Sequence, residues 1–248
     1  MPKRKHGWPH EDCLHLLHTP PSAGTRQCGC LLPCARLPAE LRELIILDDD
    51  PDPESGWQNQ AGNGWRIVRT LDRSPNLGHK HNRLAELAAE TDADAIAIWD
   101  DDDIYAPWHL SAMAAALRVS RWAAPSIVWS NYHKTRGVPL VAEVATGRFH
   151  GAWGCRLEAW EACGGWPNTE RQTFDQEFGQ RLAMLGKPSD PCMFERPSYV
   201  YRWNGGNVSG MGEGWHGRML EMRPPTKPGR MRALFDEEAA VILRNIGA

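Results

Sequence analysis

The part of this 248-residue chain best suited to chemistry is a run of four aspartates at positions 100–103. It follows directly on an apolar stretch at 95–99, and a second apolar stretch at 43–47 also ends in carboxylates, at Asp48 and Asp49. Carboxylates crowded on one loop repel each other unless a cation joins them, and Mg²⁺ or Mn²⁺ does this while also binding substrate phosphates. A solvated acidic turn is the alternative, but attachment to the end of a buried strand favours a binding site.

The elements that would position these carboxylates can be predicted from hydrophobic periodicity. Strands are expected at 13–18, 43–47, 65–71, 95–99 and 126–130, and helices at 77–89, 109–119, 174–185 and 231–245, with a poorly patterned helical stretch at 24–42. Apolar runs without alternation are typical of strands covered on both faces, as in parallel sheets. The chain is therefore predicted to be an α/β protein with a mixed, mainly parallel sheet flanked by helices. In open sheets of this class ligands bind beyond the carboxyl ends of the strands, so the two acidic clusters predict one shared site.

Composition sets limits on the class of protein. The apolar fraction of 42%, the charged fraction of 24% and the net charge of -3 are those of an ordinary globular protein without a general attraction to polyanions. No apolar stretch approaches the roughly 18 residues that cross a bilayer, and the basic N-terminus lacks the apolar segment of a secretory signal. We expect no membrane insertion and a cytoplasmic location. We expect a flexible leader (1–12), an α/β half (13–145), a second half rich in Gly and Trp (146–217) and a basic tail with a final helix (218–248).

Seven cysteines and twelve tryptophans are the remaining compositional signals. A group of Cys and His side chains near the N-terminus has some potential for zinc: Cys13, His15, His18, Cys28, Cys30 and Cys34. Zinc requires four tetrahedral ligands, and the pair at 28 and 30 is too close for the usual spacing, so buried reduced thiols are favoured over a metal site. Tryptophan stacks on sugars and bases as well as filling cores, so its abundance decides nothing.

Four landmarks in order resemble the family 2 glycosyltransferases of the GT-A fold. They are ILDDDPD at 46–52 together with the WDDDD run at 99–103, LGHKHN at 77–82, Gly-Gly-Trp at 164–166, and FDQEFGQR at 174–181. The Gly-Gly-Trp segment resembles the family's acceptor-side turn, and the FDQEFGQR segment resembles its Glu-Asp helix. The sequence departs from the family at His81, where Arg is usual, and at Phe174, where Glu is usual. The similarity extends from about residue 13 to 210.

The resemblance implies a role for each candidate residue. The donor nucleotide would be bound by Thr19, Pro20, Asp48 or Asp49, Lys80, His81, Asp100 and Asp101. The metal would be held by Asp102, and His216 would reach it from a segment similar to the family's C-terminal lid. Asp175 would be the general base, taking a proton from the acceptor hydroxyl. The acceptor side would include Trp153, Gly165, Trp166 and Glu177.

The activity implied by the resemblance is the inverting, Mn²⁺- or Mg²⁺-dependent transfer of a hexose from a nucleotide-diphosphate sugar to a hydroxyl acceptor. Small members with such an acidic run also resemble phage enzymes, for which a hydroxylated DNA base is a plausible acceptor, alongside a saccharide. The basic residues at 218–232 favour a polyanion, although a solvated linker explains them equally well. Two alternatives stay open: a degenerate sugar-nucleotide-binding module, supported by Phe174, and a nucleotidyltransferase or phosphohydrolase, for which only Lys80 is a candidate phosphate clamp.

Overall fold

The structure, a computed structural model, describes residues 37–49, 58–100, 103–130, 140–171, 173–202 and 240–247, together with the backbone of Asp12–Leu17. Its eleven named strands and four named α-helices form a mixed α/β fold. In that part of the chain, no helix is both long enough and apolar enough to span a membrane.

Seven strands form the larger sheet, in the order β3-β4-β2-β1-β5-β10-β7. Their bounds are β1 (Asp12–Leu17), β2 (Arg42–Asp48), β3 (Gln60–Gly62), β4 (Trp65–Arg69), β5 (Ala95–Asp100), β7 (Trp122–Ala123) and β10 (Gly154–Arg156). A smaller sheet has the order β6-β11-β8-β9 and consists of β6 (Ile104–Tyr105), β8 (Ile127–Ser130), β9 (Val141–Val144) and β11 (Tyr199–Tyr201).

Helices cover both faces of the larger sheet. They are α1 (Leu77–Ala89), α2 (His109–Val119), α3 (Leu157–Ala162) and α4 (Phe174–Leu185), with three short 3-10 helices at Ala39–Leu41, His150–Ala152 and Pro191–Met193. On one face α1 packs on alternate residues of the two central strands, at 45, 47, 96 and 98, where α4 adds Phe178 and Leu182. On the other face α2 covers Ala95 and Ala97. Helices therefore bury the apolar run of β5 from both sides, whereas the second face of β2, at Leu44 and Ile46, packs with Ile67 of β4.

The C-terminal helix (residues 240–245) packs on the smaller sheet. Its Ile242 is buried in a cluster with Ile104 of β6 and Val200 of β11. The chain between β5 and β6 is the acidic run, so this helix supports the strand that immediately follows it.

The predicted helices at 77–89, 109–119 and 174–185 are confirmed, and the strands at 43–47, 65–71, 95–99 and 126–130 are confirmed within two residues at each end. The prediction of a mainly parallel sheet is wrong: among the described strands only β2–β4 and β8–β11 pair in parallel. Burial on both faces depends on the covering helices and not on strand direction, so a continuous apolar run fits either pairing. The helical stretch predicted at 24–42 is described only from 37, where a three-residue 3-10 helix precedes β2.

Candidate active site

The ends of β2 and β5 lie at one edge of the larger sheet. Both strands are antiparallel to β1, which lies between them, so they run in the same direction. Asp12 pairs with Leu47 on one side and with Asp100 on the other. Two strand spacings of about 4.8 Å each then separate these ends by roughly 10 Å. The acidic clusters that follow the two strands therefore share one edge.

The alternation of side chains separates Asp48 from the other carboxylates at this edge. Ile98 contacts the α1 side of the core, so Asp100, two residues further on, belongs to that face. Asp48 follows Ile46, which packs with Leu44 on the opposite face. There Asp48 lies 4.0 Å from Arg69 Nε of the neighbouring strand. The sequence left Asp48 and Asp49 as equal candidates, and this placement favours Asp49.

Asp49 forms a buried ion pair with the first turns of α1. Its Oδ1 lies 3.0 Å from Lys80 Nζ, and its Oδ2 accepts a hydrogen bond of 2.9 Å from the backbone N–H of Ser74. The Lys80 residue is 3% exposed. Burial acts to raise the pKa of Asp49, but Lys80 and Ser74 outweigh it and hold the pKa below its ordinary value. Asp49 is therefore ionised and fixed at neutral pH.

Asp100 lies against the backbone of the 3-10 helix at His150–Ala152. A Cβ at Gly151 would overlap the Asp100 carboxylate in its present position, so glycine allows this close approach. The hydroxyl of Tyr105 accepts a hydrogen bond of 2.7 Å from Asp100 N–H and donates one of 3.1 Å to the Gly151 carbonyl. One tyrosine thus ties the end of β5 to the neighbouring turn.

Asp103, the last residue of the acidic run, has a structural role. It is 4% exposed, and its carboxylate accepts hydrogen bonds from the hydroxyl of Tyr199 and, at 2.7 Å, from the backbone N–H of Arg202. Both oxygens are thus engaged inside the protein. The middle of the run, Asp101 and Asp102, lies outside the described residues.

Two buried histidines connect α1 to the turn that contacts Asp100. The ring centroids of His81 and His150 are 5.1 Å apart, and Trp166 Nε1 donates a hydrogen bond of 2.8 Å to His150 Nε2. Burial, together with the neighbouring His81, lowers the pKa of His150 well below its ordinary value. His150 is thus neutral, with Nε2 as its acceptor nitrogen. His81 Nδ1 is 2.9 Å from the Leu77 carbonyl, which can only accept, so Nδ1 carries a proton.

Asn82 fixes the Gly-Gly-Trp turn to α1. Its side chain accepts hydrogen bonds from Trp166 N–H (2.8 Å) and Trp160 Nε1 (3.1 Å) and donates one to the Trp166 carbonyl (2.8 Å). Gly165 has φ +66° and leaves no room for a side chain beside the Asn82 amide, which makes glycine necessary. Arg181 donates to the Gly165 carbonyl from α4. The two motifs that the sequence singled out separately are one hydrogen-bonded unit.

Asp175 lies in the first turn of α4, beside these histidines. The ring of the preceding residue, Phe174, lies 5.6 Å from His81 and 5.7 Å from His150. Burial raises the pKa of Asp175, and hydrogen bonds from Gln176 and the nearby His81 only partly oppose this. A half-buried carboxylate with a raised pKa is a stronger base than an exposed one, which suits proton abstraction.

The predicted acceptor-side residues have different environments. Trp153 and Trp166 are 2% and 1% exposed and belong to the core, where Trp166 stacks on Phe178 with centroids 4.0 Å apart. Glu177 is partly exposed and accepts a hydrogen bond of 3.1 Å from Thr173. Neither tryptophan offers its ring to an acceptor in this structure.

Other predicted residues lie outside the described part of the chain: Thr19, Pro20, Asp101, Asp102 and His216. The same holds for the side chains of the N-terminal Cys and His group. Within the described ranges no three His, Cys, Asp or Glu side chains are grouped to hold a metal ion. The ligand set that the sequence predicts depends on Asp102 and therefore stays a prediction.

Sequence reasoning missed several groups of this site: His150, Tyr105, Tyr199 and Asn82. None belongs to a run of like residues, and Tyr199 lies 96 positions from the aspartate it binds. Of these four residues only Asn82 had a signal in the sequence, because it follows His81 in the LGHKHN motif. Its hydrogen bonds to the distant Gly-Gly-Trp turn could be recognised only from the structure.

Comparison with known proteins adds no family assignment: no protein-family model matches the chain, and no curated protein is found as a relative.

Proposed function

We propose that this protein is a metal-dependent, inverting glycosyltransferase of the GT-A type, which transfers a sugar from a nucleotide-diphosphate sugar to a hydroxyl acceptor. One observation carries the proposal: a chain of contacts from the first turns of α1 connects Asp49 with the regions of Asp100 and Asp175. Asp49 pairs with Lys80 of that helix. The adjacent His81 contacts His150, whose neighbour Gly151 touches Asp100, and Asp175 lies beside His81.

The residues of the acidic run fit a hard divalent cation. They supply carboxylate oxygens, which Mn²⁺ and Mg²⁺ prefer, and the first of them lies at the shared edge of the sheet. We assign the cation to Asp102 and the donor ribose to Asp100. Asp103 is excluded from this set because both of its oxygens already accept hydrogen bonds within the protein. When bound, the cation would neutralise charge on the nucleoside diphosphate leaving group.

We assign nucleotide binding and proton abstraction to side chains of the protein. We assign the Asp49–Lys80 pair to the donor nucleotide as a unit, because the Lys80 ammonium is already engaged by Asp49. Asp175 takes the proton from the acceptor hydroxyl while that oxygen attacks the anomeric carbon. A single displacement inverts the configuration at that carbon. His81 lies beside Asp175 and stabilises its ionised form, which restrains the rise in pKa that burial causes.

The acceptor is a hydroxyl of a saccharide or of a hydroxylated base in DNA. The basic residues at 218–232 support DNA, although they lie outside the described structure. Contacts with DNA phosphates make binding fall steeply with salt. Absence of transfer to hydroxylated DNA at 50 mM salt would exclude this acceptor and leave the saccharide, and transfer that is unaffected between about 50 and 200 mM salt would exclude a role for the basic residues in binding it.

A second candidate, a sugar-nucleotide-binding module without turnover, is favoured by one observation. Phe174 occupies the position where the family carries Glu, and it packs on His81 and His150. An apolar ring there removes a carboxylate from the acceptor side. The proposal is therefore tested by turnover and not by binding alone.

The test is hydrolysis of a panel of nucleotide-diphosphate sugars with and without Mn²⁺, using wild type, Asp102→Ala and Asp175→Asn. Loss of a general base costs about 10²–10⁴-fold in rate, so we expect about a thousandfold loss in Asp175→Asn with donor binding retained. Glu158→Gln, an exposed carboxylate of α3, is the control and should match wild type. Binding without hydrolysis in wild type would establish the second candidate. Equal hydrolysis in Asp102→Ala and wild type would remove the metal assignment.

A further inference from the structure

Two buried histidines near the candidate base each have one ring nitrogen engaged and one without a partner. His150 Nε2 accepts a hydrogen bond from Trp166 Nε1, and His81 Nδ1 donates one to the Leu77 carbonyl. Among the residues that the structure describes, neither His150 Nδ1 nor His81 Nε2 has a hydrogen-bond partner. The ring centroids are 5.1 Å apart, so the two nitrogens belong to one small region of the protein.

The hydrogen bond from Trp166 determines the tautomer of His150. An indole N–H can only donate, so Nε2 presents its lone pair, and the ring is neutral with its proton on Nδ1. A donor without a partner therefore remains at His150 Nδ1. In His81 the proton on Nδ1 is engaged by the Leu77 carbonyl, and Nε2 of the neutral ring is an acceptor. The two histidines thus offer one donor and one acceptor.

The chemistry and the burial of the pair limit the group that it can bind. A hydroxyl donates and accepts through a single oxygen, whereas a carbonyl or a carboxylate only accepts and an ammonium only donates. His81 is 4% and His150 9% exposed, so only a small group can reach both rings. A buried N–H without a partner costs free energy, which a hydroxyl bound there would recover. These conditions favour a hydroxyl as the ligand.

We propose that His81 and His150 together bind one hydroxyl group of a sugar, which donates to His81 Nε2 and accepts from His150 Nδ1. The identification of the ligand as a sugar rests on the proposed function, in which Asp175 takes the proton of the attacking hydroxyl. Asp175 lies beside His81, whose proximity opposes the rise in the pKa of Asp175. A saccharide acceptor carries hydroxyls on adjacent carbons, so the histidines can hold one while its neighbour reaches Asp175. The donor sugar is the other source of such a group.

The test is nuclear magnetic resonance of the protein labelled with ¹⁵N-histidine, in which long-range spectra show which ring nitrogen carries a proton. The probes are glucose, galactose, mannose, N-acetylglucosamine and ribose, followed by nucleotide-diphosphate sugars and nucleoside diphosphates. At pH 7.5 we expect the proton of each ring on Nδ1. At least one sugar should shift the signals of His150 Nδ1 and His81 Nε2 together.

Variants measure the contribution of each nitrogen to sugar binding. His81→Phe keeps an aromatic ring against Trp166 but removes the acceptor. His150→Gln keeps an oxygen that can accept from Trp166 Nε1 but removes the Nδ1 donor. Each should weaken sugar binding about tenfold, as expected for one lost hydrogen bond. His79→Gln, which changes an exposed residue of the same helix, should bind as wild type does.

The double variant tests whether both nitrogens act on the same hydroxyl. If they do, the combined loss of affinity should be smaller than the product of the two single losses. A loss equal to that product would overturn the shared hydroxyl. Thermal unfolding identifies a variant that fails to fold, and the titration of wild type decides in that case.

The outcomes for wild type separate this inference from the proposed function. Shifts caused by nucleotide-diphosphate sugars but not by nucleoside diphosphates would assign the hydroxyl to the donor, and shifts caused by free sugars alone would assign it to the acceptor. No shift with any sugar, or a His150 proton on Nε2, would overturn the inference and leave the proposed function to the hydrolysis assay. Shifts with free sugars in a protein that hydrolyses no nucleotide-diphosphate sugar would support the hydroxyl site and overturn the proposed function.

Discussion

The carboxylates at the two strand ends are held in different ways. Asp49, after β2, is held by the ammonium of Lys80 and one backbone N–H. Asp103, after β5, accepts from a tyrosine hydroxyl and a backbone N–H, neither of which carries a charge. The position of Asp49 thus depends on a charged partner from the adjacent helix α1, whereas that of Asp103 depends on segments 96 and 99 residues further along the chain.

The largest expected effect on stability comes from removing the Lys80 ammonium that pairs with Asp49. Lys80→Met leaves a largely buried carboxylate without its ammonium partner, and breaking such a pair costs about 3–5 kcal/mol. We expect the free energy of unfolding in urea to fall by about 4 kcal/mol. Arg83→Met, on the same helix, removes an exposed pair with Glu86 and should cost below about 1 kcal/mol. Similar losses of stability in both variants would show that burial does not make the Asp49–Lys80 pair more stabilising than the Arg83–Glu86 pair.

As the pH falls, we expect stability to be lost first through His109 and His150 and only later through Asp49. Burial lowers the pKa of His109 to about 3 and that of His150 well below 6.5, and both residues adjoin the smaller sheet or the turn at Gly151. The unfolded chain binds protons there below about pH 6.5 and the folded chain does not, so stability falls as the pH drops. Two such histidines cost about 3 kcal/mol at pH 5.5 relative to neutral pH.

Urea unfolding at pH 7.5 and 5.5 measures this loss. The lowered pKa of Asp49 contributes stability that is lost only as pH falls below its ordinary value of 3.8, outside this interval. His109→Gln keeps a polar partner for Ser198 but does not titrate, so we expect it to remove about half of the decrease. An equal decrease in this variant would contradict the assignment to His109.

The smallest expected effect on stability is the loss of the Tyr199 hydroxyl. A hydrogen bond to a charged group contributes about 1.5–3 kcal/mol, against about 1 kcal/mol for a neutral pair. We therefore expect Tyr199→Phe to lower the free energy of unfolding by about 2 kcal/mol and Tyr105→Phe by about 1 kcal/mol. The reverse order would mean that Asp103 depends mainly on other donors.

The sequence predicted the elements better than their pairing. Continuous apolar runs located β2 and β5, and helical spacing located α1 and α4 with their bounds, because these patterns are local. Strand direction depends on connections between distant segments, so the antiparallel insertion of β1 could not be predicted from its residues. For the same reason the second sheet was not predicted as a separate sheet, although its strand β8 was predicted.

The candidate site was likewise predicted only where its signal is local in the sequence. The prediction that the two aspartate runs share one edge of the sheet is confirmed, but composition alone could not separate Asp103 from its neighbours. Its role depends on Tyr199, and the choice between Asp48 and Asp49 depends on the pleat of β2 and on Lys80. Trp153 and Trp166 were predicted to lie on the acceptor side, yet both are buried in a core cluster with residues of α1 and α4.

We propose that the two strand ends form one cation-dependent site for a nucleoside diphosphate. Thermal unfolding with the diphosphates of adenosine, guanosine, uridine, cytidine and thymidine, each with and without Mn²⁺, tests it most directly, because a ligand of the folded state raises the unfolding temperature. We predict that at least one diphosphate raises this temperature only when Mn²⁺ is present, and that Asp102→Ala abolishes the rise. No rise with any of the five, or the same rise without Mn²⁺, would contradict the account.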